Sequence, residues 1–148
     1  MIFKRKLKRI HLTHSFTFQS KKCTKKTQVR GFTEAGKDLI IKTHNDLRQK
    51  VAAGLETNGD QPGASNMRKV VWNDEIAEIA QRLVDQCKFA HDKKRNMCDG
   101  TYVGQNIYMG WRSKQTEDEI MAGVDKPVTS WYSEVEKPFD SSLINPFM

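Results

Sequence analysis

Tyr102-Val103-Gly104-Gln105-Asn106-Ile107-Tyr108-Met109 is the stretch on which the fold class turns. Aromatic and β-branched side chains crowd into these eight positions, a composition that reads as a strand. Upstream, residues 88–101 are polar and irregular. Before them a helix is expected from Asn73, an N-cap with Asp74 and Glu75 at the positive helix end. Ile76, Ile79, Ala80, Leu83, Val84 and Cys87 form its apolar stripe and place Cys87 inward. The short run Val70-Val71-Trp72 precedes it, and residues 56–66, with Gly59, Pro62 and Gly63, read as a loop. Before that loop, Leu39, Ile40, Thr43, Leu47, Val51 and Leu55 recur at helical steps over 33–54. Thr33 suits the N-cap and Gly54 the stop. Downstream of the strand, Thr116 and Glu119 have capping-box spacing, followed by Ile120, Met121 and Val124. Gly123 and Pro127 interrupt the pattern, and Pro127 is placed to start a fresh helix carrying Val128, Trp131 and Val135. From Lys137 onward the chain reads as loop. The expected class is α+β with one strand, whose partners must come from weaker segments or from outside the chain.

The chain has 148 residues, 37% of them hydrophobic, enough for one domain with a core. No run approaches the ~20 apolar residues of a membrane span, and no segment repeats. The net charge of +7 is unevenly placed. Residues 1–30 carry ten Lys/Arg and no Asp or Glu, while the remaining 118 residues carry 15 basic and 18 acidic side chains. The basic character therefore belongs to the N-terminal segment. Such a segment can touch nucleic acid or an acidic surface; the plainer reading, adopted here, is a solvated leader over 1–22 with no nucleic-acid partner. It does not read as a secretory signal, because Lys and Arg interrupt every candidate apolar run and a signal needs ~7–15 such residues.

Three cysteines are present, Cys23, Cys87 and Cys98. None forms a Cys-x-x-Cys pair, and no His stands beside them at zinc-finger spacing, so no structural zinc or other metal site is expected. Lysines on both sides of Cys23 favour its thiolate, which leaves it either a reactive thiol or half of a staple. His44, on the first helix, reads as a packing residue.

Further residues carry a resemblance. His44-Asn45-Asp46-Leu47-Arg48, Asn66-Met67, Val71-Trp72-Asn73-Asp74-Glu75, Gln86-Cys87 with His91-Asp92, Val103-Gly104-Gln105-Asn106 and Trp131-Tyr132-Ser133-Glu134-Val135 occur in this order. Together they resemble the antigen five venom allergens of wasps and ants, within the superfamily of cysteine-rich secretory proteins, antigen five and plant pathogenesis-related proteins (CAP, or SCP-like). The resemblance spans about 23–147 and implies a partial CAP domain over 23–148. The implied fold is an α-β-α sandwich of the CAP type, here incomplete, with the later core strands missing. The implied role is that of a secreted, extracellular, disulfide-bonded venom allergen without catalysis or cofactor. Its expected partners are a lipid or sterol ligand and host antibodies.

The resemblance also implies a cavity with two His and two Glu. One His matches His91 and one Glu matches Glu134. The other Glu falls in a Gly-Glu-Asn motif that here reads Gly104-Gln105-Asn106, so an amide replaces the acid. The second His belongs to a Gly-His-Tyr-Thr-Gln motif, which this chain lacks. One imidazole, one carboxylate and one amide are a poor set for zinc. A His91–Glu134 acid/base pair, and with it a metal-assisted or His/Glu hydrolase, is the rival reading. The resemblance assigns Cys23 and Cys87 to one disulfide, closing a loop of 65 residues, worth roughly 4 kcal/mol in the entropic description. Cys98 matches a cysteine whose family partner lies further toward the N-terminus, where residues 1–22 hold no cysteine.

Overall fold

A computed structural model describes residues 31–110 and 116–137. The basic leader, Cys23, Trp111 and the residues after Lys137 lie outside them. The described elements are α1 (Glu34–Ala52), α2 (Asp74–Val84), α3 (Glu117–Met121), α4 (Lys126–Tyr132) and a closing 3-10 turn, Ser133–Glu136. They fall into two compact units. The described part of one is 32–72 with 116–137, and of the other 73–110 with Gly31.

The helix ends follow the capping chemistry. Thr33 accepts from the Gly36 N–H and opens α1, and Glu34 occupies the first turn. The helix stops at Ala53, and Gly54 takes a left-handed φ of 69° immediately after it. Asn73 accepts from the Ile76 N–H and starts α2. Thr116 and Glu119 form a complete capping box on α3. Pro127 sits in the first turn of α4, where its missing N–H costs nothing.

In the first unit α1 packs on α4, with Val124 and Val128 as its buried apolar residues. Leu39, Ile40, Thr43, Leu47 and Val51 are half-buried along one face of α1. Leu55, expected on that face, is 67% exposed, because the helix has ended before it. Phe32 meets Trp72 edge-on with ring centroids 5.9 Å apart, and the Lys37 ammonium lies 5.5 Å from the centre of the Trp72 ring.

Two fastenings hold this unit's loops. The Asn45 carboxamide donates to Val70 O (3.0 Å) and accepts from the Val70 N–H (2.8 Å). Arg48 adds two donations to Arg68 O, at 3.0 and 2.7 Å. The strip 68–70 is thus paired to a helix by side chains, as a strand is paired by backbone. The second fastening is Glu56, whose side chain is fully buried. Its carboxylate accepts from Lys50 Nζ (2.8 Å), from the Asn58 N–H (2.9 Å) and from the Tyr132 hydroxyl of α4. Nearby, Gly59 has φ 66°, and a Cβ there would collide with the carbonyl oxygens of Val135 and Lys137. That position requires glycine twice over, for its backbone and for its space.

In the second unit α2 buries Ile79 and Leu83, and Val103 is buried beyond it. The predicted stripe is narrower than expected. Ala80 is exposed and Val84 is 61% exposed. Cys87, expected inward at the helix end, is exposed with φ 49°. The helix stops at Val84 and the chain turns before Cys87, so helical periodicity no longer sets its direction. The strand expected over 102–109 is not formed among the described residues. A single antiparallel bridge joins Asn96 to Tyr102, and the backbone over 103–110 is extended or irregular rather than part of a named strand. A strand is a property of a pair, and strand-forming composition alone does not make one.

Asn45→Ala leaves the Val70 N–H and carbonyl without their partner and should cost about 1–2 kcal/mol, measured by urea denaturation. For Glu56, the Lys50 ammonium first, then the Tyr132 hydroxyl and the Asn58 N–H, hold the carboxyl at about 2 against an ordinary 4.5. Burial, followed by the Glu56 carboxylate, pushes Tyr132 up to about 12 from 10.0. The Glu56 contribution is complete above pH 4.5 and disappears as pH falls from there toward 2. The Tyr132 contribution is complete below pH 10 and disappears as pH rises toward 12. Denaturation midpoints recorded against pH should therefore show a shallower acid limb in Glu56→Gln and a shallower alkaline limb in Tyr132→Phe.

Candidate functional site

Two of the residues singled out for chemistry, His91 and Gln105, meet after α2. Gln105 Oε1 accepts from the Asp92 N–H at 2.9 Å and lies 3.0 Å from His91 Nδ1. The Asp92 amide can only donate, so the Gln105 atom facing it is the oxygen. The same oxygen can only accept from His91, so Nδ1 carries the proton. In the neutral ring Nε2 then holds the lone pair, and it is the nitrogen available to a ligand or a proton. His91 is exposed and Gln105 half-buried. An amide at this position orients the ring without bringing a charge to it.

Glu134, the third candidate, lies in the other unit, on the 3-10 turn Ser133–Glu136, and is exposed. His91 and Gln105 are thus brought into one hydrogen-bonded pair, and Glu134 belongs to a different element and unit. Among the described residues no group of three or more His, Cys, Asp and Glu is placed to hold a metal ion. His44 Nδ1 is 2.9 Å from Ile40 O, one turn back on α1, and this bond is local to the helix.

Arg95 is the residue that sequence reading missed. Its Nε donates to Val103 O at 2.7 Å, Nη1 donates to Asp92 O, and Nη2 donates to the Tyr102 hydroxyl. The guanidinium also stands 4.7 Å from the centre of the Tyr102 ring. One planar fork therefore ties the His91-Asp92 turn to the segment carrying Gln105. In sequence it closes the run Lys93-Lys94-Arg95, which looks like an ordinary solvated basic stretch, and no spacing distinguishes it.

The cysteines separate into two kinds. Cys87 is disulfide-bonded, and Cys98 is a free, exposed thiol. The Cys98 N–H donates to Glu75 on α2. That carboxylate, by hydrogen bond and then by charge, pushes the thiol above its ordinary range.

Gln105→Ala removes the acceptor that faces Nδ1, and the His91 ring should then lose its single preferred tautomer, read from the imidazole nitrogen resonances by NMR.

The cysteine-rich secretory protein family (CAP) matches residues 41–142, a stretch that contains α2, the His91–Gln105 pair and Glu134. Venom allergen 5 of Microctonus hyperodae is 47% identical over 121 residues, 78% of this chain and 49% of that protein. Venom allergen 3 of Solenopsis invicta is 44% identical over 123 residues, 79% of this chain and 49% of its own. Venom allergen 5 of Vespula vidua is 45% identical over 116 residues, 76% of this chain and 53% of its own. The chain spans about half the length of the curated relatives it matches. With the family match covering most of its residues, the chain belongs to the CAP, or cysteine-rich secretory protein, family.

Proposed function

We propose that this chain is a secreted, extracellular venom allergen of the antigen five type that acts by binding rather than by catalysis. The observation that carries this reading is its identity, 40–47% across most of its length, to several venom allergens of different insects. The site supports the non-catalytic part. The imidazole of the pair is oriented by a neutral amide, so the group that orients it lends no negative charge to the cation that general base catalysis would create. His91 and Gln105 are the polar pair we assign to ligand binding. Glu134 is retained through its match to the family position alone, and the ligand class we assign is a lipid or sterol.

The domain reading belongs to the same proposal. Residues 23–148 supply part of an α-β-α sandwich, and residues 1–22 form a leader outside it. Cys87 is bonded, Cys98 is free, and the sequence holds three cysteines. We therefore assign Cys23 as the partner of Cys87.

The allergen reading is tested with immunoglobulin E from donors sensitised to antigen five venom allergens. That antibody should bind the oxidised chain, and a venom allergen 5 such as that of Vespula vidua should compete for it. Antibody that ignores the chain, or binding that the allergen does not displace, would overturn the reading.

A further inference from the structure

We propose that Asn96 is an N-glycan acceptor, with the Cys98 thiol serving in the place that serine or threonine takes in the common acceptor triplet. The proposal rests on the reading that the chain is exported. Asn96-Met97-Cys98 has the acceptor spacing, and its middle residue is not proline. A side-chain hydrogen two residues after the asparagine is what the triplet requires. A thiol supplies one more weakly than a hydroxyl, so partial occupancy is the expectation. The thiol must also be unbonded, and Cys98 is free while Cys87 is not.

The local structure can carry a glycan without rearrangement. Asn96 is exposed and stands at the base of a tight turn, bridged to Tyr102. The Met97 N–H donates to Thr101 O and the Gly100 N–H to Met97 O, both at 2.9 Å. Gly100 closes the turn with φ 82°. Glu75 pushes the neighbouring thiol above its ordinary range, which disfavours the thiolate chemistry that would otherwise consume it in a disulfide. The transfer needs a lipid-pyrophosphate-linked oligosaccharide as donor. Asn96 Nδ2 forms a bond to the sugar C1 and loses one proton, the C1–O bond to pyrophosphate breaks, and the lipid pyrophosphate leaves. No group is oxidised or reduced.

The test expresses the full chain behind an added secretion leader in insect cells, so that export does not depend on the chain itself. The medium and the microsomal fraction are read together, which retains material that folds poorly. Treatment with a glycan-releasing amidase in heavy-oxygen water marks an occupied asparagine by mass spectrometry. The expected result is a mark at Asn96 in part of the molecules, more in Cys98→Ser, and none in Cys98→Ala or Asn96→Gln. An unmarked Asn96 in the unsubstituted chain, or a mark that persists in Cys98→Ala, overturns the proposal. Either outcome leaves the antibody result standing, so the two readings fail separately.

Discussion

A backbone polar group withdrawn from water must find a partner, and in this chain side chains supply many of those partners. Only one β-bridge occurs among the described residues, and side-chain hydrogen bonds hold several of the described segments between helices. Asn45 and Arg48 serve the strip 68–70. Arg95 serves Asp92 and Val103, and Gln105 serves Asp92. The loops are held in place by a few long polar side chains reaching into them. Among the described residues the buried apolar side chains are few: Ile79, Leu83 and Val103 in one unit, Val124 and Val128 in the other.

This arrangement explains what the sequence disclosed. Helix ends are decided within four residues, by a side-chain oxygen and the N–H groups it can reach. Thr33, Asn73 and the Thr116–Glu119 pair are therefore legible without tertiary information. The 102–109 segment was not legible, because strand formation depends on a distant partner that composition cannot supply. Cys87 was misplaced for a related reason. Periodicity predicts direction only while the helix lasts, and α2 ends three residues before it. Glu56 and Arg95 left no signal, since each makes contacts set by loop geometry rather than by spacing.

The candidate site shows the same division. His91, Gln105 and Glu134 were found by matching motifs, and the substitution of an amide for an acid was visible at once. Its consequence was not visible. Only the placement of the Asp92 N–H against the same oxygen fixes which face of the amide meets the imidazole, and hence which ring nitrogen keeps its lone pair. The residue type reveals the loss of charge, and the geometry reveals the tautomer. Arg95 links the two by bracing the segments that carry His91 and Gln105.

The buried Glu56 carboxylate also bears on ionic strength. Mobile ions weaken attractions between charges that face solvent, over a length of about 8 Å at physiological salt. The Glu56 side chain presents no surface to solvent, although its partner Lys50 does. Dissolved ions can approach one end of the pair only, and two of the three groups held by the carboxylate are neutral dipoles. This knot should persist across fluids of very different salinity, whereas the exposed Lys42–Asp46 and Lys37–Glu34 pairs on α1 will fade in the more concentrated ones.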